Sequence, residues 1–199
     1  MSFSEHLSNQ LKLVGQYIAL EPLAESHLEG LAAAASDGEL WNLSFTGVPH
    51  PDNLAKWYAD CLEELRTGRQ IPFVVRILET GKVVGSTRFY DLEPSHRNLA
   101  IGYTWYAKSA QRTFVNTEAK LLLLTHAFEV CNCIAVFWHT HHENKPSQQA
   151  IGRLGAQLDG VIRNHKIMPN GELRDTFCYS MLDTEWPQAK KNLIVKLAV

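Results

Sequence analysis

The chain has 199 residues, of which 45% are hydrophobic and 20% are charged, and its formal net charge is −2. This length and apolar content predict one domain with a well-filled core. The nearly balanced charge excludes a polyanion-binding surface as the default, so no nucleic-acid partner is expected. The chain contains four cysteines, none in a C-x-x-C spacing, and has no apolar run of membrane-spanning length. We therefore expect a cytoplasmic protein without a membrane partner.

The first third of the chain predicts one strand and two helices. The strand is expected at Tyr17–Leu20, and the helix at Glu25–Ser36 closes on Asp37-Gly38. Asn53 is predicted to begin the second helix, which runs to Thr67 with apolar residues at helical spacing. Trp41–Pro51 joins the two helices as a loop rich in turn-forming and aromatic residues.

From Pro72 onward the apolar residues follow the period of strands. The spans Phe73–Leu78 and Lys82–Tyr90 flank Glu79-Thr80-Gly81, which predicts a hairpin. The element order is β-α-α-β-β-β-α-β-α-β-β, which is an α+β fold. The remaining elements are strand Leu99–Tyr106, a helix after Gln111, strand Ile134–Thr140, helix Ser147–Leu154 and a hairpin of Val161–Met168 and Leu173–Leu182, turned on Pro169-Asn170-Gly171.

The ten residues Gln111–Lys120, QRTFVNTEAK, join a β-rich segment to an apolar helix. Ala100–Tyr106 before them is typical of a strand, and Leu121–Val130 after them is apolar enough for a buried helix. The first amide N–H groups of a helix have no partner inside the helix, and phosphate is a common ligand for them. The loop therefore predicts an anion site that accepts phosphate.

This element order and loop resemble the GNAT acetyltransferase superfamily, and within it the RimJ/RimL-like branch that acetylates protein N-termini and small amines. The resemblance covers roughly residues 15–182. It is carried by QRTFVNTEAKLLLLTHAFE at 111–129, by Asn144–Ser147 with Ala150–Ala156 after it, and by the closing hairpin from Asp159 to Ser180. It implies a mixed, mostly antiparallel twisted sheet flanked by helices.

The resemblance also implies acetyl-coenzyme A as co-substrate, lying between the strands Leu99–Tyr106 and Ile134–Thr140. Its pyrophosphate would bind the backbone amides of residues 112–117, where Phe114 and Asn116 occupy positions that are small in the family. Backbone N–H groups near residues 103–105 would stabilise the oxyanion. The implied cofactor-binding residues are Tyr103, Thr104, Trp105, Gln111, Arg112, Thr113, Phe114, Val115, Asn116, Thr117, Asn144 and Ser147.

Asn144 and Ser147 are the implied catalytic residues. The resemblance places Asn144 on the pantetheine arm or a water, and Ser147 close to the sulfur, where its hydroxyl protonates the departing thiolate. The alternative is structural, because Ser147 opens a predicted helix and serine is a preferred N-cap residue. A residue can serve in both ways.

The segment His139-Thr140-His141-His142-Glu143 has the composition of a metal site. Zinc normally takes three or four ligands that have partners of their own, and this segment also fits the edge of a strand without a metal. We therefore expect no metal. A histidine of this segment acting as general base for the amine is the more plausible use.

The expected function is direct transfer of an acetyl group from acetyl-coenzyme A to a primary amine, on a protein N-terminus or a small molecule. A coenzyme A-binding or acyl-sensing module with weak or no turnover is the alternative, and another acyl donor such as succinyl-coenzyme A is also open. The domain is expected to span residues 15–185, between a flexible segment, 1–14, and a tail, 186–199. The sequence leaves the oligomeric state open, although the apolar residues in Leu193–Leu197 could pack on a second copy in a homodimer.

Overall fold

The structure is a computed structural model that describes residues 6–8, 10–43, 45–168 and 170–198. Its strands form one eight-stranded sheet in the order β1-β2-β3-β4-β5-β6-β8-β7. They are β1 Leu13–Val14, β2 Ile18–Pro22, β3 Gln70–Ile77, β4 Val83–Glu93, β5 Asn98–Tyr106, β6 Ala135–His141, β7 Gln157–Ile167 and β8 Leu173–Leu182. The α-helices of the described residues are α1 Leu28–Ser36, α2 Leu54–Arg66, α3 Phe114–Thr125, α4 Lys145–Leu154 and α5 Trp186–Leu197.

The α+β class and the mostly antiparallel sheet predicted from the sequence are confirmed. All neighbouring strands pair antiparallel except β5 and β6, which run parallel. The predicted element order also holds between β2 and β8. The parallel pair forms because the chain crosses from β5 to β6 through helix α3, as parallel strands require.

The helices cover both faces of the sheet, and strand β4 shows which helix lies on which face. The ring of Phe89 stacks on His126, in the turn that continues α3. Residues of the opposite parity face the other way, so the Arg88 guanidinium lies over the Trp57 ring of α2. Helix α1 packs on Val83, because a Cβ built on Gly30 would come within 2.8 Å of it. The β-bulge between Gly85 and Val83 reverses the parity of β4 and turns Val83 to this second face. The sheet thus separates an α3 face from an α1–α2 face.

The C-terminal segment differs from the tail assigned to residues 186–199. Trp186–Leu197 form helix α5, whose Trp186 and Leu193 are buried in the core. The Trp186 ring stacks on Phe128 with centroids 5.6 Å apart. Trp186, Ala189 and Leu193 recur at helical spacing, and this amphipathic pattern is the physical reason for the helix. Val199 lies outside the described residues.

The segment 1–14, predicted to be flexible, contributes strand β1, which pairs antiparallel with β2. Leu7 belongs to the buried core. Residues 1–5 and 9 lie outside the described part of the chain, as does Pro169 of the turn predicted between β7 and β8.

The Glu118 carboxylate on α3 holds the turn between β1 and β2. It accepts backbone N–H groups from Gln16, Tyr17 and Ile18 at 2.6, 2.9 and 2.8 Å. Glu118 is only 3% exposed. A Cβ on Gly15 would lie 2.5 Å from this carboxyl group, so a larger residue there would displace the carboxylate from the turn. The contact fixes the first strands against the helix that follows the predicted anion loop.

Glu118→Ala is predicted to lower the free energy of unfolding by about 3 kcal/mol, because it leaves three backbone donors without a partner in a buried position. Glu29→Ala, at an exposed position of α1, is the control and should change the free energy by about 0.5 kcal/mol or less. Urea unfolding of both variants measures the difference. Equal effects would mean that the carboxylate does not hold the turn.

Candidate active site

Strands β5 and β6 pair only at their beginnings. The register joins Asn98–Ala100 of β5 to Ala135–Phe137 of β6 and goes no further. Beyond these residues β5 stays paired with β4 as far as Tyr106, and β6 stays paired with β8 as far as His141. The two strands therefore diverge toward their carboxyl ends, and the facing backbone edges have no partner in the sheet. Ligands commonly bind at such an opening beyond the carboxyl ends of parallel strands.

A β-bulge lies in β5 at this opening. Ser86 of β4 pairs with Trp105 and Arg88 pairs with Gly102, so Thr87 alone faces both Tyr103 and Thr104. Tyr103 takes a left-handed conformation, with φ +50°. The bulge sends the two side chains to opposite faces: Tyr103 contacts Arg88 on the α1–α2 face, while the Thr104 hydroxyl meets Lys120 of α3. Bulges of this kind are common beside active sites.

Helix α3 begins at the carboxyl end of β5, after a short turn. Thr113 is its N-cap residue: its Oγ1 accepts the Val115 N–H at 3.3 Å and donates to the Ala110 carbonyl at 2.7 Å. The side-chain amide of Gln111 donates to the Tyr106 carbonyl and holds the loop against the strand. Arg112 takes the left-handed conformation, with φ +61°. The structure thus forms the predicted helix N-terminus next to the opening between β5 and β6.

A cleft of about 530 Å³ lies at this N-terminus. Among the described residues, its lining carries two cations, Arg112 and Lys196, and no carboxylate. Lys196 comes from the end of α5, where its ammonium also donates to the Arg153 carbonyl at 3.1 Å. The lining residues are Tyr17, Arg112, Thr113, Phe114, Thr117, Lys196, Leu197 and Ala198.

Phe114 does not need the conformation that favours glycine. The left-handed residue of the loop is Arg112, whereas Phe114 is the first residue of α3. Its ring packs on Tyr17, with centroids 5.0 Å apart. The aromatic pair therefore forms a wall of the cleft.

Helix α4 begins beyond the carboxyl end of β6, and Asn144 is its N-cap residue. The Asn144 Oδ1 accepts the Ser147 N–H at 3.1 Å. The Ser147 hydroxyl makes no hydrogen bond within the described residues. The capping alternative for Ser147 is therefore wrong: the helix starts two residues earlier than predicted, with Pro146 in its first turn. Asn144 does the capping, and the Ser147 hydroxyl is left free.

The histidine segment divides between two surroundings. His141, His142 and Glu143 each place a possible ligand atom within 4.8 Å of the others. However, Nδ1 of His141 accepts the Glu143 N–H and Nδ1 of His142 accepts the Asp175 N–H. These bonds give both rings a structural role, since each accepts a backbone N–H group. The absence of a metal stays a prediction.

His139 lies apart from this cluster and meets Tyr90 instead. The Tyr90 hydroxyl and the His139 Nδ1 are 3.1 Å apart. Removal of water from its ring lowers the pKa of His139, and burial raises the pKa of Tyr90. The ring of Tyr90 also meets the ring of Tyr103 edge-on at 5.2 Å. His139 thus joins the aromatic group on the α1–α2 face of the bulge.

Lys120 is the buried base on the α3 face of the bulge. It is 6% exposed, and its ammonium donates to the Thr104 Oγ1 at 3.0 Å. No carboxylate pairs with it within the described residues. Burial lowers the pKa of Lys120 from its usual 10.5 to about 7. Charging Lys120 in the folded protein therefore costs free energy, and its side chain lies beside the bulge at Thr104.

Lys120→Met is predicted to raise the free energy of unfolding at pH 7 by several kcal/mol, because each pKa unit is worth about 1.4 kcal/mol. The unfolded chain holds more protons than the folded one between pH 7 and pH 10.5, so wild-type stability rises with pH across that window. Below pH 7 the penalty is fully present. Urea unfolding at several pH values should show a smaller rise in the variant.

Lys191→Met, at an exposed position of α5, is the matched control and should keep the wild-type pH dependence. The same pH dependence in Lys120→Met as in the wild type would show that Lys120 titrates normally.

Four of the predicted residues meet in the cleft: Arg112, Thr113, Phe114 and Thr117. The side chains of Trp105 and Val115 are buried in the core, so these two can contribute only backbone groups. Gln111 supports the loop, and Asn116 does not line the cleft.

Sequence reasoning missed five residues around the site. Lys196 was hidden because residues 186–199 were assigned to a tail, although the helical spacing of Trp186, Ala189 and Leu193 was a visible signal. The others, Arg88, Tyr90, Lys120 and Arg174, stand out only when their neighbours are known.

Residues 18–157 match the profile of a family described as the acetyltransferase (GNAT) domain. The match covers more than half of the chain, so the chain belongs to this family of acetyltransferases. No curated protein matches the chain significantly.

Solved structures agree with this membership. An acetyltransferase structure from T. thermophilus is 32% identical with a TM-score of 0.81, and the match covers 94% of this chain and 96% of that one. A GCN5-related N-acetyltransferase from Brucella melitensis is 27% identical with a TM-score of 0.84, covering 94% and 86%. Mycobacterium smegmatis RimJ in complex with CoA-disulfide is 21% identical with a TM-score of 0.74, covering 90% and 88%. The likeness to RimJ is one of fold.

Proposed function

We propose that this acetyltransferase moves an acetyl group from acetyl-coenzyme A to a primary amine by direct attack. The observation that carries the proposal is the divergence of β5 and β6 after three paired residues each. An extended pantetheine arm can pair with such a free strand edge. Helices α3 and α4 both begin at the same opening, so the proposed phosphate site at α3 and the Ser147 hydroxyl on α4 lie at its two sides.

The cleft at α3 fits the pyrophosphate of coenzyme A. The backbone amides of the first helical turn, apart from Val115, which bonds Thr113, favour an anion there together with the cations of Arg112 and Lys196. RimJ of Mycobacterium smegmatis, which shares this fold, forms a complex with CoA-disulfide. We therefore assign the cleft residues, together with the amides of residues 112–117, to the cofactor.

In the proposed reaction the amine lone pair bonds to the thioester carbon, and the carbon–sulfur bond breaks. The amine loses one proton and the sulfur gains one, which leaves an amide and the free thiol. Backbone N–H groups of the bulge near residues 103–105 donate to the oxyanion. The free hydroxyl of Ser147 protonates the sulfur, and Asn144 holds the start of α4.

The amine needs little help to react. An α-amino group titrates near pH ~8, so a useful fraction is neutral at physiological pH, whereas a lysine titrates near ~10.4. The lowered pKa of His139 favours a neutral imidazole at pH 7, and such a ring takes the amine proton directly or through water. We propose His139 as the base.

The homodimer and the cytoplasmic location expected from the sequence stay proposals. Ile194 and Val195 are exposed on α5 and are available to a second copy, although Leu193 of the same stretch is buried. Among the described residues, no helix combines the length and the apolar composition needed to cross a bilayer.

Coenzyme A is predicted to raise the melting temperature of the protein. Binding to the folded state alone adds about 2.7 kcal/mol at a hundredfold excess over Kd. ATP and NAD should do much less, and Lys196→Ala should weaken the effect of coenzyme A because it removes one of the two cations in the cleft. Lys191→Ala, exposed on the same helix, is the control. No shift with millimolar coenzyme A would overturn the proposed cofactor.

Ser147→Ala is predicted to lower kcat about 100-fold without a change in melting temperature, since its hydroxyl bonds no described residue. Asn144→Ala should instead cost about 1 kcal/mol of stability through loss of the cap. A thiol-release assay with acetyl-coenzyme A, run against a panel of amines and N-terminal peptides, gives the rates. Ser95→Ala, at an exposed serine far along the chain, is the control. Unchanged turnover in Ser147→Ala would remove the residue from the catalytic set.

A further inference from the structure

Arg88 is a buried cation whose hydrogen bonds are mostly unmade. It is 7% exposed, and one of its amino groups donates to the Gln70 Oε1 at 2.7 Å. Its Nε is buried and has no hydrogen-bond partner. Within the described residues no carboxylate oxygen lies within 4.0 Å of the guanidinium. A guanidinium carries five N–H donors, so most of this group's capacity is unused.

Arg174 of β8 is a second arginine in the same condition. Its Nε is buried without a partner, and the side chain makes no hydrogen bond or ion pair with any described residue. It lies within electrostatic range of both Tyr90 and Tyr103, and burial lowers its pKa. Tyr103 also lies on Arg88, with the guanidinium carbon 4.6 Å from the ring centroid. Both arginines therefore belong to the group around the bulge.

Packing alone does not account for this arrangement. The rings of Trp57 and Tyr103 lie on Arg88 at 5.2 and 4.6 Å and stabilise its charge. Aromatic faces do not accept the in-plane N–H groups of a guanidinium, however, and buried charges in proteins are normally paired. The unmet donor capacity of the two guanidinium groups, whose remaining amino groups also make no hydrogen bond with the described residues, thus points to a ligand that accepts hydrogen bonds near the half-exposed Tyr103.

The charges around the opening have the sign that such a ligand requires. Lys166 and Arg174 both act on His139 as positive neighbours. Asp91 is the acid that acts on the same ring, and it is exposed and forms no ion pair with either arginine. The surroundings of the bulge on this face are therefore mainly positive.

We infer that the amine acceptor carries a carboxylate group and that Arg88 and Arg174 bind it. This inference rests on the proposed acetyl transfer to an amine. A carboxylate is planar and accepts two parallel N–H bonds from a guanidinium, which suits the amino groups of Arg88 and Arg174 that have no partner among the described residues. The carboxylate belongs either to a free amino acid or to an acidic side chain near the start of a peptide, and both place it close to a primary amine.

Pairs of acceptors that differ only in a carboxylate test the inference. One arm compares amino acids with their amides, and the other compares amidated peptides that begin with Asp or Glu with those that begin with Asn or Gln. In thiol-release assays the carboxylate acceptor should have a kcat/KM on the order of tenfold to a hundredfold higher in at least one arm. The arm that responds identifies the source of the group.

Arg88→Gln and Arg174→Gln should each reduce this preference toward one, whereas Arg163→Gln, at an exposed position of β7, should keep it. Arg174 is only partly buried, so Arg174→Gln is expected to fold and keeps the test informative if Arg88→Gln folds poorly. No preference in either arm, or a preference that both variants retain, would overturn the inference.

A binding measurement separates this inference from the proposed reaction. With coenzyme A saturating the protein, glutarate should raise the melting temperature of the wild type further than glutaramide does, and Arg88→Gln and Arg174→Gln should remove the difference. Inorganic phosphate is the third probe, and a shift with phosphate but not with glutarate would contradict the carboxylate assignment. Failure of coenzyme A itself to shift the melting temperature would count against the reaction, while a response to coenzyme A without one to glutarate would count against the acceptor.

Discussion

The divergence of β5 and β6 is the constraint on which the site depends. Each strand keeps its outer neighbour, since β4 holds β5 through the bulge and β8 holds β6 to His141. The inner edges therefore cannot close on each other beyond Ala100 and Phe137. Backbone N–H and C=O groups left open within a domain need partners from water or from a ligand. An acyl donor with an extended amide-containing arm supplies such partners.

Buried cations without carboxylates are concentrated around this opening. Lys120 lies on the α3 face of the bulge, and Arg88 lies on the other face. Each costs stability, because desolvation of a charge is unfavourable unless a counter-charge repays it. Natural proteins accept such departures mainly where function requires them. The bulge thus has a strained backbone at Tyr103, and on each of its faces lies a basic side chain, Lys120 or Arg88, without a carboxylate partner.

Much of the fold could be predicted from the sequence because most elements carry their own period. Strand β5, the loop at Gln111 and the apolar second half of α3 match their predictions to within a few residues, and the hairpin of β3 and β4 follows from its turn. Helix α5 was missed because its pattern is weak and rests on Trp186, Ala189 and Leu193. The start of α4 was misplaced because Asn144 and Ser147 are both good capping residues, and spacing alone does not choose between them.

The site was less predictable, since its chemistry depends on charged side chains that have no carboxylate beside them in the folded structure. No sequence pattern distinguishes Arg88 from an arginine with a carboxylate beside it. Nor does the sequence show that Lys120 is buried, because lysine on an apolar helix is usually exposed. The loop and helix start at residues 111–117 could be predicted because these residues are consecutive in the chain, whereas Lys196 of the cleft comes from α5 and the acceptor side gathers residues from α2, β4, β5, β6 and β8.

Backbone-resolved NMR of the protein during titration with coenzyme A tests most directly whether the diverging strands and the start of α3 hold the acyl donor. The largest shifts are expected for the amides of residues 112–117 and for β5 beyond Gly102, with smaller ones at the start of α4. Shifts confined to other elements, or none at millimolar coenzyme A, would contradict this assignment of the opening between β5 and β6.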